Sequence, residues 1–130
     1  KGLDRQYYVL HFRGGDFYNS KEHLVLDLNY YKDAVTFFED KPIYCVSDDN
    51  LKLASIISEL NLKNTFQLDL NEIESFKLIF NSSGGIASNS TFCWWASFLS
   101  KNDNWVYPKI WLKKKSLVSE NLFIENTLLI

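Results

Sequence analysis

Short apolar segments alternate along the chain with longer segments whose apolar residues recur every three or four positions. The short segments are rich in β-branched and aromatic residues and are bounded by Gly, Pro, Asn or Asp, which is typical of buried strands. Five strands are therefore predicted, at residues 7–13, 43–46, 64–68, 84–87 and 105–107.

The segments between these strands have helical periodicity, and capping residues indicate where each helix begins. Asn29 is the predicted cap of a helix over residues 30–39, and either Asp49 or Asn50 caps the second helix. A third helix starts at Asp69 or Asn71 and ends near residue 80, and a fourth covers residues 94–99. A loop is predicted for residues 16–28, and irregular chain with one short helix for the residues after 111.

The resulting order of elements is βαβαβαβαβ, which requires a mostly parallel sheet with helices on both faces. We therefore predict a three-layer, Rossmann-like α/β fold with about five strands, formed by residues 1–130 as one domain. Ligands of such folds bind at the carboxyl ends of the strands. The prominent polar clusters fall at these ends, at residues 13–16, 47–49, 69 and 88–91.

The last of these clusters, Ser88, Asn89, Ser90 and Thr91, lies where the fourth strand passes into a helix. A helix start has unpaired N–H groups and a partial positive charge, and both suit a phosphate or another anion. The four side chains add hydroxyl and amide donors at the same place. The alternative is that the cluster only caps the helix, since these residue types are the usual caps.

Composition narrows the possible functions. The formal net charge is −2, so the chain has no basic field that would attract nucleic acid. The one dense cationic run, at residues 113–115, is interpreted as a solvated segment, with contact to a membrane surface as the alternative. Cys45 and Cys93 are interpreted as buried thiols of a reducing compartment, and two Cys with two His give no metal-ligand spacing. The chain begins at Lys1 and contains no Met, so we expect it to be part of a longer protein.

Three motifs resemble one enzyme family. Residues 89–96, Asn-Ser-Thr-Phe-Cys-Trp-Trp-Ala, are similar to the Asn-Ser-(Ser/Thr)-Phe-Ser-Trp-Trp-(Ala/Gly) motif of the alpha-1,2-fucosyltransferases. Residues 11–16, His-Phe-Arg-Gly-Gly-Asp, resemble the family's His-x-Arg-Arg-Gly-Asp motif, except that Gly14 replaces the second arginine. Residues 44–49 resemble its Phe-Ser-Asp-Asp block. The family transfers L-fucose from GDP-fucose to a sugar acceptor.

The resemblance gives the strand-end residues roles in binding and catalysis. Arg13 takes the position of the arginine that contacts the β-phosphate of GDP, and the alternative is a surface ion pair with Asp16. His11 would be a structural histidine bonded to the loop, or else a general base. Asp16 would either be that base or fix Arg13. Asp48 would accept hydrogen bonds from guanine or ribose, or else orient Arg13. Asp49 would accept such hydrogen bonds or cap the next helix.

The activity that the resemblance implies is inverting, metal-independent transfer of L-fucose from GDP-fucose to a galactoside hydroxyl in alpha-1,2 linkage. Ser88, Asn89, Ser90 and Thr91 would help to bind the donor, with no metal or other cofactor. The chain would be the carboxyl-terminal, GDP-binding half of a two-domain enzyme of GT-B-like fold, in the bacterial cytoplasm at the inner membrane face. The alternatives are a glycosyltransferase that uses another nucleotide sugar and a non-catalytic nucleotide-binding module.

Overall fold

A computed structural model describes residues 6–111, 113 and 127–130. The strands are β1 (Tyr8–Phe12), β2 (Ile43–Ser47), β3 (Thr65–Gln67), β4 (Gly85–Ile86), β5 (Trp105–Tyr107) and β6 (Leu128–Leu129). Within the described residues these six strands form one sheet in the order β3-β2-β1-β4-β5-β6, and all of its pairings are parallel. The predicted parallel α/β fold is confirmed.

Four α-helices connect the strands: α1 (Leu28–Val35), α2 (Asn50–Leu60), α3 (Glu72–Phe80) and α4 (Thr91–Ser100). Two short 3₁₀ helices, Gly15–Asn19 and Thr36–Phe38, flank the first of them. None of the helices in the described part of the chain is long and apolar enough to cross a membrane.

The core consists of two layers because successive side chains of a strand point to opposite faces of the sheet. Leu10 and Phe12 of β1 pack with the apolar residues of α1 and α2. Val9, which precedes Leu10 and points to the other face, packs with the layer that contains the buried residues of α3 and α4. His11 and Arg13 continue the register of Val9, so the strand directs both side chains towards the α3–α4 face.

The strand order reverses beside β1, which pairs with β2 on one side and with β4 on the other. In parallel sheets a ligand crevice forms at such a reversal, beyond the carboxyl ends of the strands. Gly85 allows β4 to approach closely here, because a Cβ atom at this position would lie 1.9 Å from the carbonyl oxygen of Val9. A residue with a side chain would therefore not fit at Gly85, the second glycine of the predicted strand.

Several details of the predicted elements are corrected. Asp27, and not Asn29, caps α1 by accepting a hydrogen bond from the backbone N–H of Tyr30, so the helix begins earlier than predicted. The predicted loop contains the 3₁₀ helix Gly15–Asn19. The strand β6 was not predicted at all, and the short helix expected after residue 111 falls outside the described residues.

The prediction that Cys45 and Cys93 are buried is confirmed, and the structure has both as free thiols. Burial raises the pKa of each thiol to about 12. Lys113 is exposed, but its ammonium donates to the carbonyl of Ser20 at 2.7 Å and its N–H donates to that of Glu22 at 2.8 Å. The other two lysines of the cationic run lie outside the described residues.

Candidate functional site

A cleft of about 390 Å³ opens at the carboxyl edge of the sheet on its α3–α4 face. Its walls come from the ends of β1 and β2, the start of α3 and the start of α4. The lining residues are His11, Arg13, Ser47, Asp48, Leu70, Asn71, Glu72, Ser75, Ser90 and Phe92. Three of the four polar clusters that the sequence placed at strand ends thus contribute to one cleft.

Arg13 lies at the end of β1 and is held from three sides. Its guanidinium carbon is 4.6 Å from the ring centroid of Phe17, a cation–π distance. Its Nη1 is 3.1 Å from Oδ2 of Asp48, and its Nη2 forms an ion pair with the carboxylate of Asp16. The Nε–H of Arg13 is buried and has no hydrogen-bond partner among the described residues. The guanidinium is therefore oriented towards the cleft with one donor unused.

Asp48 and Asp49 have different roles. Asp48 accepts from the backbone N–H of Gly14 at 2.9 Å while it pairs with Arg13, so it orients the arginine and fixes the turn after β1. Asp49 caps α2 by accepting from the N–H of Lys52 at 3.2 Å. Asp48 thus makes the contact with Arg13 that the sequence offered as one alternative, and Asp49 makes the capping contact.

Gly14, which replaces an arginine of the family motif, lies against Tyr18. A Cβ atom at Gly14 would be 2.8 Å from Cε2 of the Tyr18 ring. The Tyr18 hydroxyl donates to Oδ2 of Asp49 at 2.8 Å, so the ring is tied to the start of α2. The aromatic ring thus occupies the space into which a side chain at position 14 would extend.

His11 is buried beneath the cleft and bonds to the loop after β4. Its Nδ1 is 2.7 Å from the Ser88 hydroxyl, which is the bond expected of a structural histidine. Burial lowers the pKa of His11 to about 4, with Asp48 opposing the shift and Arg13 adding to it. The imidazole is therefore neutral at pH 7, and it is a weaker base than an exposed histidine.

The polar cluster before α4 separates into residues with different functions. Ser88 is fully buried against His11, and both amide hydrogens of Asn89 are engaged, by the carbonyls of Leu24 and Trp111. Ser90 caps α4 and also lines the cleft, and Thr91 is exposed at the first position of the helix. Within the described residues, Ser90 Oγ accepts from the N–H of Cys93, and the N–H groups of Thr91 and Phe92 at the first two helical positions are not bonded, so they are available to a ligand.

Comparison with known proteins identifies the family. The model of "Glycosyl transferase family 11" matches residues 4–123, nearly the whole chain. The chain belongs to this family. The resemblance to the alpha-1,2-fucosyltransferases drawn from the motifs is thereby confirmed.

A curated relative of this family 11 chain is the O-antigen biosynthesis glycosyltransferase WbnK of Escherichia coli. It is 29% identical over 115 residues, which cover 78% of this chain and 38% of the relative. The chain thus spans less than two-fifths of the relative's length. No solved structure matches this chain.

One wall of the family 11 cleft was not predicted from the sequence. Asn71, Glu72 and Ser75, at the start of α3, line the cleft together with Leu70. The sequence named Asp69 after the third strand, but that carboxylate accepts from the amide of Asn50 at 3.1 Å. The available signal was the helix start itself, because a helix that follows a parallel strand begins at the ligand-binding edge.

The cleft combines an arginine and a helix start with the polar residues at the start of α3. Among the described residues, no group of three or more His, Cys, Asp or Glu side chains is arranged to hold a metal ion. Arg13 and the start of α4 attract negative charge, and the α3 wall carries an amide, a hydroxyl and a carboxylate. The cleft can thus accept a ligand that is anionic at one end and polar at the other.

Proposed function

We propose that this domain binds GDP-fucose in the cleft and serves an inverting, metal-independent fucosyltransferase that forms an alpha-1,2 linkage to a galactoside. Membership in glycosyltransferase family 11 supports glycosyl transfer. The three motifs support the choice of L-fucose and GDP among the possible sugars and nucleotides.

The observation that carries the proposal is the position of Arg13 at the point where the strand order reverses. Its guanidinium faces the same cleft as the capping residue of α4, and its buried Nε–H has no partner in the described structure. A planar guanidinium next to a helix start suits the oxygens of a diphosphate.

These groups would act on the charge that develops during the reaction. When an acceptor hydroxyl displaces GDP from the anomeric carbon of fucose, the departing β-phosphate gains negative charge. Arg13 and the free N–H groups of α4 are already oriented before the reaction, which is the condition for effective electrostatic stabilisation. Asp16 and His11 are the candidate bases, and Asp16 is favoured because its side chain is exposed, whereas His11 is buried and bonded to Ser88.

The domain would be the donor-binding half of a longer enzyme, and the rest of that enzyme would bind the acceptor. The support is that the chain covers 38% of its relative from Escherichia coli. That relative is named for O-antigen biosynthesis, so a galactoside of a surface polysaccharide is the acceptor that we propose, with the enzyme in the cytoplasm at the inner membrane face.

Calorimetric titration of the chain with GDP-fucose, in the presence of a chelator, tests the proposal. We expect binding without added metal, and Arg13→Ala should weaken it at least about tenfold, since a lost charge-assisted hydrogen bond costs about 1.5–3 kcal/mol. Lys32→Ala, an exposed substitution on α1, should leave binding unchanged.

UDP-galactose and GDP-mannose, used as competitors, separate the proposed donor from other nucleotide sugars. GDP-mannose should compete through its shared nucleotide, and UDP-galactose should not. Tighter binding of UDP-galactose than of GDP-fucose would replace the proposed donor. Unchanged binding of GDP-fucose by Arg13→Ala would show that the diphosphate lies elsewhere.

A further inference from the structure

The α3 wall of the cleft contains a carboxylate whose role the proposed function leaves open. Glu72 is the first residue of α3, is exposed, and lines the same cleft as Arg13 and Ser90. No hydrogen bond or ion pair to another described residue engages it. A role for Glu72 in donor binding rests on the proposed function and adds a donor-binding residue to it.

The other carboxylates around the cleft already have partners. Asp16 and Asp48 pair with Arg13. Asp49 accepts from Lys52 and Tyr18, and Asp69 accepts from Asn50. Glu74 closes the capping box of α3 by accepting from the N–H of Asn71. Glu72 is thus the carboxylate that lines the cleft and remains available to a ligand.

The charges of the cleft determine which part of the nucleotide would meet Glu72. A diphosphate is attracted to the wall with Arg13 and the start of α4. The α3 wall contributes Leu70, Asn71, Glu72 and Ser75 to the lining, and none of these is a cation. Arg13 offsets the charge of Asp48, whereas no cation of the α3 wall offsets that of Glu72, so the neutral base of the nucleotide is the part that fits the α3 wall.

We propose that the Glu72 carboxylate recognises guanine by accepting hydrogen bonds from its N1–H and its 2-amino group. These two donors lie side by side on the edge of the base and match the two oxygens of one carboxylate. Adenine has an acceptor at N1, and uracil has a single N–H between two carbonyl groups. The buried Ser75, one helical turn further along the same wall, adds a hydroxyl near the base.

The test compares Glu72→Gln with Glu74→Gln on the full chain by calorimetry. Both variants lose one negative charge in the first turn of α3. Glutamine at position 74 preserves the capping box, so Glu74→Gln is a matched control that leaves the cleft intact. The probes are GDP, IDP, which lacks the 2-amino group, ADP and inorganic pyrophosphate.

We expect the wild type to bind GDP more tightly than IDP or ADP. Glu72→Gln should weaken GDP binding at least about tenfold, because hydrogen bonds to a charged group are lost. The same variant should weaken IDP binding less, and its affinities for ADP and pyrophosphate should stay within about twofold of those of the wild type. Glu74→Gln should bind all four probes as the wild type does.

Two results would overturn the inference, and they are distinct from failure of the proposed function. Equal affinity of the wild type for GDP and ADP would show that the base is not recognised. Unchanged GDP binding by Glu72→Gln, together with weakened binding by Arg13→Ala, would leave the donor site in place and remove Glu72 from it. A wild type that binds no GDP would overturn both proposals.

Discussion

At the scale of single residues, Arg13 and Asp16 form an ion pair in the place where a phosphate oxygen would bind. The Asp16 side chain is 79% exposed, and its carboxylate contacts Nη2 of the arginine. In the proposed function the donor would therefore compete with this carboxylate for the guanidinium, whether or not Asp16 later accepts the proton of the acceptor.

We expect Asp16→Asn to tighten GDP binding by about three- to fivefold, because exposed ion pairs contribute up to about 1 kcal/mol. Calorimetric titration measures the change, with Glu22→Gln as a control for the loss of one exposed negative charge. Weaker GDP binding by Asp16→Asn would mean that Asp16 supports the donor-binding position of Arg13 and does not compete for it.

Gly14 and Tyr18 show how a departure from the family motif is accommodated. Gly14→Arg should lower the free energy of unfolding by about 1 kcal/mol, because the new side chain displaces the Tyr18 ring and breaks its hydrogen bond to Asp49. In a Tyr18→Ala background the same substitution should cost little. A double-mutant cycle by urea denaturation measures this coupling, and additive effects would contradict the packing of Tyr18 against Gly14.

His11 should make stability depend on pH. Its pKa in the folded chain, about 4, lies below the 6.5 of an unperturbed histidine. The unfolded state therefore binds more protons between these values, and stability is lost as the pH falls from about 6.5 to about 4, by up to about 3 kcal/mol. Urea denaturation of wild type and His11→Gln across this range isolates the effect from that of the carboxylates. Parallel curves for the two proteins would contradict it.

At the scale of elements, the start of α1 shows what the sequence leaves undetermined. Asp27 and Asn29 are both good caps, and a single residue lies between them. The side chain that accepts from the N–H three residues later is that of Asp27. Which of two nearby caps is used depends on the path of the preceding chain, and local preference does not contain that information.

Asp27→Ala should lower the free energy of unfolding by about 1 kcal/mol, the usual cost of losing a cap. Asn29→Ala lies inside the helix and should change it by less than half as much. Thermal unfolding of the two variants compares them directly. A larger loss of stability for Asn29→Ala than for Asp27→Ala would indicate that Asn29 is the cap, as the sequence predicted.

Other element boundaries were easier or harder to predict for physical reasons. For each of α2 and α3 the sequence offered two possible caps. The structure uses Asp49 for α2 and Asn71 for α3. The strand Leu128–Leu129 has two residues and pairs with a distant part of the chain, so no periodicity indicates it.

At the scale of the whole molecule, the sheet and the edge that carries the site could be predicted because alternation of strands and helices restricts the topology to a few forms. The motifs supplied Arg13 and Ser90, which the structure brings to one cleft. The start of α3 could be assigned to this edge, but which of its residues line the cleft depends on how far the helix lies from the ends of β1 and β2. Likewise, sequence could not separate the roles of Asp48 and Asn89, because both depend on contacts made across the fold.

We propose that the diphosphate of the donor lies between Arg13 and the start of α4, and backbone NMR of the chain during a GDP titration shows whether it does. We expect the largest changes in amide shifts at Gly14, Asp16, Thr91 and Phe92, and pyrophosphate alone should reproduce them. A second cavity, between α1 and α2 and lined in part by Lys52 and Glu59, should show none. Changes at that cavity, with the amides around Arg13 and α4 unaffected, would contradict the claim.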